Sequence, residues 1–210
     1  MKKLIAIATA VLFAFSANAQ VGIIAGLTTT ATDYNTAIST AESVSQYHVG
    51  LAFKLPLAAG FELQPAVVYD VKGATVKEQL AGNNVFDTKT GYLEVPVQIQ
   101  WGLDLSSKLR VFAFGEPYIA YALDIQNKMA GGEWKKVSDW DGINRLQYGL
   151  GAGIGVEILG VVQLSARYYW DMGNLYDGEG NINEISFKTV SETLKNTKSS
   201  GIKISLAHFF

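Results

Sequence analysis

The sequence predicts an all-β fold, an eight-stranded antiparallel transmembrane β-barrel with short periplasmic turns and four long extracellular loops. Three features predict it: apolar and polar residues alternate with period 2 in eight segments, the connections are alternately short and long, and aromatic residues collect near both ends of the apolar faces. The segments are approximately Val21 to Thr29, Tyr47 to Leu55, Phe61 to Lys72, Tyr92 to Leu103, Leu109 to Asp124, Asn144 to Ile158, Val162 to Gly173 and Gly201 to Phe210.

Each segment has one apolar and one polar face, as expected for a strand at the boundary between two environments. Links two, four and six are short ("PLAAG", "DLSSK" and "LGV"), whereas the other links run to roughly seventeen to twenty-seven residues, a pattern typical of outer-membrane barrels. We therefore expect one set of residues to face lipid (Leu164, Tyr168, Ile154 and Val97) and another to face the interior (Arg167, Glu157, Gln98 and Glu62).

Aromatic residues on the apolar faces form two groups, one near the long loops and one near the short turns, which indicates a girdle at each membrane interface. The alternative is a soluble β-sandwich or barrel whose apolar faces point inward. Its outer face would then carry a row of glycines, which a soluble surface does not need. The first girdle contains Tyr47, Tyr69, Tyr121, Tyr148, Tyr168 and Trp170, and the second contains Phe61, Trp101 and Phe210.

The sixth segment, "RLQYGLGAGIGVEILG", has glycine at four alternate positions, Gly149, Gly151, Gly153 and Gly155. The interior of an eight-stranded barrel is just wide enough for side chains to fill. We expect the row to leave space for the fifth segment, with Gly151 and Gly153 bare because Phe112 and Phe114 lie above them. Bends or bulges at these glycines are the alternative. The residues of the fifth segment expected to point inward are Arg110, Phe112, Phe114, Glu116 and Tyr118.

Twelve charged residues are expected in the lumen, six of each sign. Charges confined there should pair, because an unpaired buried charge costs several kcal/mol. A plug of salt bridges is favoured over a proton or ion path, since eight strands leave no continuous channel. The positive residues are Lys54, Lys72, Arg110, Arg145, Arg167 and Lys203, and the negative ones are Glu62, Asp70, Glu94, Glu116, Glu157 and Asp171.

The chain starts like an exported protein. Lys2 and Lys3 precede an apolar stretch from Leu4 to Phe15, and "ANA" before Gln20 fits a cleavage site, so residues 1–19 are expected to be a cleaved signal peptide and residues 20–210 the barrel domain. The absence of cysteine excludes lipid attachment after the leader and disulfides. Loss of the two lysines takes the formal charge from −2 to −4, which gives no reason to expect nucleic acid as a partner.

Little in the sequence points to catalysis. The two histidines, His48 and His208, are expected at opposite ends of the barrel, and no serine is evidently paired with His48. The stretch "GLGAGIGVE" lies within a strand with no helix after it, which excludes a nucleotide-binding loop. We expect no catalytic residues, no cofactor and no metal.

Five stretches resemble the PorT-like outer-membrane β-barrel family of Gram-negative bacteria: "FELQPAVVYDVKGA", "YLEVPVQIQW", "FAFGEPYIAYAL", "LQYGLGAGIGVEI" and "GIKISLAHFF". The resemblance implies an outer-membrane barrel, and founding members of that family are implicated in protein secretion across the outer membrane. The closing "ISLAHFF" also resembles the terminal signal that the outer-membrane assembly machinery reads, although His208 stands where an aromatic residue is more usual.

Three functions are therefore open. The first is a non-enzymatic barrel with a plugged lumen that presents surface loops to a protein partner, in an envelope, adhesion or secretion-accessory role. The second is an outer-membrane lipid-modifying enzyme, which needs a lipid-facing Ser/His pair near a girdle. The third is a soluble periplasmic ligand-binding barrel, which needs an apolar lumen. The expected partners are outer-membrane lipid, the assembly machinery at the C-terminal strand and a protein at the loops.

Overall fold

The computed structural model describes residues 19–32, 35–36, 39–78, 84–129, 132–136, 144–173 and 199–210. In these residues no helix is long and apolar enough to cross a membrane. The strands are β1 (Gln20–Thr32), β2 (Asn35–Thr36), β3 (Ser39–Pro56), β4 (Phe61–Glu78), β5 (Asn84–Ser106), β6 (Leu109–Met129), β7 (Lys135–Lys136), β8 (Leu146–Ile158), β9 (Val162–Asp171) and β10 (Ser199–Phe209).

Eight long strands form a closed antiparallel barrel. They pair in the order β1, β3, β4, β5, β6, β8, β9, β10, and β1 pairs with both β3 and β10, which closes the sheet. The short strands β2 and β7 pair with β3 and β6 at the long-loop end. The predicted eight-stranded antiparallel barrel is confirmed.

Side chains alternate between an apolar outer face and a polar interior. Ile154 is 69% exposed on the outside, whereas Arg167 is 3% exposed inside. The lipid-facing residues expected from the sequence lie outside and the interior-facing ones inside, including Glu62, which is half-buried near the short turns. Phe112 and Phe114 also point inward. An interior more polar than the exterior is the arrangement of a barrel solvated by lipid.

The β3–β4 and β8–β9 connections are tight turns that require unusual backbone angles. Gly60 has a φ of +80° and Gly160 a φ of +72°, a region that glycine adopts without steric cost. These turns, with the one between β5 and β6, set the register of the hairpins and hold the polar side chains of neighbouring strands at matching heights.

The strands extend further toward the long-loop end than the sequence predicts. β4 continues to Glu78 and β5 begins at Asn84, and the two pair through to that end, so most of the predicted third link is strand. β1 and β3 likewise extend to Thr32 and Ser39. These two loops are therefore shorter than predicted, because alternation fades where both faces leave the membrane while the hydrogen-bonded ladder continues.

Two predictions fall on parts of the chain that the structure does not describe. Residues 1–18, with nearly all of the predicted signal peptide, lie outside the described residues, and so do residues 174–198 of the seventh link.

Candidate functional site

The barrel interior brings most of the predicted charged residues together. Ten of the twelve are buried, and an eleventh, Glu62, is half-buried near the short turns. The buried ten are Lys54, Asp70, Lys72, Glu94, Arg110, Glu116, Glu157, Arg167, Asp171 and Lys203.

Arg167 and Lys203 link three carboxylates at the centre of the lumen, which we call the central cluster. Arg167 Nη1 lies 2.6 Å from Glu116 Oε2, and Nη2 lies 3.7 Å from Glu94 Oε1. Lys203 Nζ lies 2.6 Å from the same Glu94 oxygen and 2.8 Å from Asp70 Oδ2. The five side chains are at most 2% exposed, so water screens these interactions little. Each cation therefore bridges two carboxylates.

Two ion pairs fill the interior on the short-turn side of the central cluster. Lys54 Nζ lies 3.1 Å from Glu157 Oε2, and it donates a second hydrogen bond to the carbonyl oxygen of Gly160. Arg110 Nη1 lies 3.1 Å from Glu62 Oε2. Both cations are thus paired where the lumen meets the turns.

An ion pair inside an aromatic cage fills the long-loop side. Lys72 Nζ lies 2.7 Å from Asp171 Oδ1, and Tyr118 donates a hydrogen bond to the same oxygen. The Lys72 ammonium also lies 4.7 Å from the ring centroid of Tyr169 and 5.4 Å from that of Tyr92. Aromatic faces attract a cation most strongly where it is desolvated, so the rings supplement the single carboxylate.

Arg145 is not in the lumen, and the prediction that it contributes to the lumen charges is wrong. Its Nε donates to the carbonyl oxygen of Ala122, and its guanidinium lies 4.7 Å from the ring centroid of Tyr121, which is exposed on the outside. The residue precedes β8, which begins at Leu146, so strand alternation does not determine the direction of its side chain.

The structure reveals a Ser–His–Thr–Asp chain of hydrogen bonds that the sequence did not show. Ser205 Oγ lies 2.9 Å from His48 Nε2, His48 Nδ1 lies 3.0 Å from Thr28 Oγ1, and Thr28 donates to Asp70 at 2.6 Å. Because the single threonine hydroxyl proton is given to Asp70, His48 Nδ1 must donate to Thr28, which leaves Nε2 to accept from Ser205. The expectation that no serine pairs with His48 is wrong.

This direction of hydrogen bonding is the one found at an activated serine nucleophile, where the imidazole accepts the proton of the serine hydroxyl. However, His48 and Ser205 are 1% and 2% exposed and lie inside the barrel, away from the lipid-facing surface. In the described part of the chain, moreover, no three His, Cys, Asp or Glu side chains form a group suited to a metal ion. The barrel therefore encloses the hydrogen-bond chain, with its serine and histidine almost fully buried.

The two histidines lie on opposite faces of the sheet and not at opposite ends of the barrel. Gly26 pairs with His48, and only three residues earlier Ile23 pairs with His208, so the histidines do not lie at opposite ends of the barrel as expected. His48 is buried inside, while His208 is exposed on the outer face. The conclusion that they share no site holds, because the wall of the barrel separates them.

Three glycines of the row lie opposite aromatic rings of β6. A methyl group added at Gly153 would lie 2.6 Å from Phe114 Cζ, far inside van der Waals contact. The other two glycines meet their opposing rings just as closely. The opposed pairs are Gly149 with Tyr118, Gly153 with Phe114 and Gly155 with Phe112.

Gly151 does not follow this rule, and the prediction that a phenylalanine ring fills the space above it is wrong. The ladder places it opposite Glu116, and an added methyl group would find its nearest neighbours at 3.4 Å, Tyr168 O, and 3.6 Å, the Glu116 side chain. These are ordinary contact distances. The two phenylalanine rings instead lie opposite Gly153 and Gly155, one inward position along β8 from the predicted pair, Gly151 and Gly153.

The predicted girdle residues lie on the outer face. Eight are at least 40% exposed there, and the ninth, Tyr69, is half-buried with its hydroxyl 3.2 Å from Asp124 Oδ1. Phe61 pairs directly with Trp101, so the short-turn girdle includes two adjacent strands. The exposed eight are Tyr47, Phe61, Trp101, Tyr121, Tyr148, Tyr168, Trp170 and Phe210.

Solved structures of bacterial outer-membrane proteins resemble this barrel distantly. Neisserial surface protein A is 14% identical, with 91% of this chain and 97% of that one covered and a TM-score of 0.46. OprG of Pseudomonas aeruginosa is 13% identical, covering 91% and 95%, with a TM-score of 0.45. Ail, the attachment invasion locus protein of Yersinia pestis, is 9% identical, covering 91% and 96%, with a TM-score of 0.41. Likeness at this level carries no statement about function.

Comparison with models of protein families gives a clearer result than comparison with solved structures. No curated protein matches the chain significantly. Residues 13–177 match the model of the family described as "Outer membrane protein beta-barrel domain", which is more than half of the 210 residues. The chain therefore belongs to this family of outer-membrane β-barrel proteins, and the outer membrane is its location.

Proposed function

We propose that this chain is a non-enzymatic outer-membrane barrel whose polar lumen is plugged and whose surface loops engage a partner in an envelope, adhesion or secretion-accessory role. The observation that carries the proposal is the series of buried ion pairs from Lys54, near the short turns, through the central cluster to Lys72. Side chains that form ion pairs with one another occupy the interior, which is already narrow in a barrel of eight strands. The barrel then acts as a scaffold, and function lies in what it displays.

The resemblance to PorT-like proteins favours the secretion-accessory form of this role. On this proposal the chain is exported with residues 1–19 as a cleaved signal peptide, and the assembly machinery reads its C-terminal strand. The outward side chains of β10 suit such reading, since Ile202, Ile204 and Leu206 are about half exposed in an apolar row, which His208 separates from Phe210. A soluble ligand-binding barrel does not fit, because the lumen is charged and the outer face is apolar.

A plugged lumen predicts that the purified barrel forms no channel. In a planar bilayer of phospholipid, the wild-type protein should give no steady conductance, because ions cannot pass the central cluster without separating buried salt bridges. A porin inserted in the same bilayer serves as the positive control. Reproducible single-channel steps from the wild-type barrel would contradict the plug.

The enzyme alternative gains one observation, the contact between Ser205 and His48, but that alternative needs the pair to face lipid. Because both side chains are buried inside, we expect a fluorophosphonate probe to leave Ser205 unmodified in the folded barrel. Mass spectrometry of the folded protein after exposure measures this, with Ser205→Ala as the matched control. Labelling that disappears in Ser205→Ala would overturn the non-enzymatic assignment.

A further inference from the structure

Lys203 differs from two other lysines of the lumen because it contacts two carboxylates at once. Its Nζ donates a hydrogen bond to Glu94 Oε1 at 2.6 Å and lies 2.8 Å from Asp70 Oδ2. In the part of the chain that the structure describes, Lys54 and Lys72 each form an ion pair with one carboxylate. An amine held between two carboxyl groups can react with one of them while the other accepts its protons.

The register of neighbouring strands brings these groups together. Lys203 on β10 pairs with Thr28 on β1, and His48 on β3 pairs with Asp70 on β4. All four side chains are buried in the interior. Because the interior of an eight-stranded barrel is narrow, the long lysine side chain reaches past β1 and β3 to the carboxylate on β4. A covalent bond between Lys203 and Asp70 would therefore join strands that are not neighbours in the sheet.

The two carboxylates that contact Lys203 are suited to different roles. Asp70 Oδ1 accepts a hydrogen bond from Thr28 at 2.6 Å, whereas Asp70 Oδ2 accepts none from the described residues. A hydrogen bond to one oxygen stabilises the negative charge that develops there when a nucleophile attacks the carboxyl carbon, and the other oxygen is free to leave. Glu94 instead accepts the hydrogen bond of the ammonium group, which is the position of a general base.

The site excludes water and is lined by aromatic rings. The side chains of Lys203, Asp70 and Glu94 are at most 1% exposed, and Nζ lies 5.1 Å from the ring centroid of Tyr169 and 5.7 Å from that of Tyr118. Formation of an amide from a carboxylate and an ammonium group releases water, and hydrolysis consumes it, so a site closed to water favours the amide. Groups held in contact also react with effective molarities of about 10⁵ M or more.

We propose that Lys203 and Asp70 form a spontaneous intramolecular amide bond once the barrel has folded, with Glu94 as the base. Glu94 accepts a proton from the ammonium group, and the neutral amine attacks Asp70 Cγ. The Nζ–Cγ bond forms and the Cγ–Oδ2 bond breaks. Both protons that the nitrogen loses pass through Glu94 to Oδ2, which leaves as water, while Oδ1 becomes the amide oxygen. Nothing is oxidised or reduced, and Glu94 returns to its carboxylate form.

The bond would lock the closure of the barrel. It links β4 to β10, the strand whose pairing with β1 closes the sheet. Like a disulfide, such a cross-link stabilises the fold by restricting the unfolded chain. This inference goes beyond the proposed function and is independent of the partner that the loops bind.

Peptide mass spectrometry of the folded barrel tests the proposal. Trypsin does not cut after a lysine whose amine is part of an amide bond, so the barrel purified from outer membranes and unfolded in urea should yield residues 55–72 joined to residues 199–210. The product should weigh less than the sum of the two peptides by one water molecule. The same chain from urea-solubilised inclusion bodies, before it has folded, should contain no such product, and trypsin should cut it after Lys203.

Two variants each remove one participant in the reaction. Lys203→Arg keeps the positive charge but lacks the amine, so the linked product should be absent. Glu94→Gln keeps Asp70 and Lys203 but removes the base, so the linked fraction at a fixed time after folding should fall at least about tenfold. The matched control is Glu157→Gln, which removes a buried carboxylate from the Lys54 ion pair and should link like the wild type. The wild-type measurement stands even if a variant folds poorly.

Separate peptides from the folded wild-type barrel would overturn the proposal. A link from residues 199–210 to residues 90–108 would also overturn it, because Glu94 would then be the group that reacts and not the base. Equal linkage in Glu94→Gln and Glu157→Gln would show that the bond needs no base at Glu94, and the assignment of that residue would be wrong.

Discussion

Replacing Arg167 with methionine is expected to destabilise the folded barrel by about 3 to 5 kcal/mol. The guanidinium lies 2.6 Å from Glu116 and 3.7 Å from Glu94, and its side chain is 2% exposed. Methionine preserves much of the volume but leaves the Glu116 carboxylate buried without its cation. The measurement is urea unfolding in phospholipid vesicles, followed by the gel shift between folded and unfolded barrel.

The control for this change is Lys108→Met, at an exposed turn position, which should alter stability by about 0.5 kcal/mol or less. The double variant Arg167→Met, Glu116→Gln should be less destabilised than the sum of its single changes, because neutralising Glu116 removes the uncompensated charge. A loss as small as that of Lys108→Met, or strict additivity in the double variant, would show that the central cluster does not support the fold.

Period-2 alternation was sufficient to predict the faces of the strands. Arg167 and Glu116 occupy inward positions on regular strands, so their burial followed from parity, and mutual pairing followed from the cost of burying charge. Arg145 shows the limit of parity, because it lies one residue before β8, where no ladder directs its side chain. The bulge on β6 sets a second limit, since it reverses the parity of the strand so that Ala122 and Ile125 both face the interior.

Predicting contacts between inward side chains requires the register of neighbouring strands, which alternation does not provide. His48 reaches Ser205 across β1 because Gly26, which pairs with both residues, has no side chain to intervene. A methyl group at Gly26 would lie 2.7 Å from the His48 imidazole. A glycine at an inward position of β1 is a signal of such a contact, but only after the pairing of three strands is known.

The glycine row gives the second large effect, expected at Gly153. Replacement of Gly153 with alanine should destabilise the barrel by about 1 to 3 kcal/mol, because the added methyl group would collide with the carbonyl oxygen of Ala166 and lie 2.6 Å from Phe114 Cζ and 2.8 Å from Arg167 Cβ. Gly151→Ala, two residues earlier on the same strand and face, should be neutral or stabilising by up to about 1 kcal/mol, since its site has ordinary contact space. Urea unfolding of both variants, with the gel shift as readout, compares them directly.

A double variant tests whether the loss of stability in Gly153→Ala comes from packing against Phe114 or from a general intolerance of side chains in β8. Leucine at position 114 lacks the distal ring atoms that approach Gly153, so Gly153→Ala combined with Phe114→Leu should lose less stability than the two single changes added together. The ring of Phe112, whose centroid lies 6.0 Å from that of Phe114, stays in place and keeps that part of the lumen filled. If Gly151→Ala and Gly153→Ala cost the same, the glycines do not make room for the rings of β6. If Phe114→Leu gives no rescue, the backbone carbonyl of Ala166, and not the Phe114 ring, keeps Gly153 without a side chain.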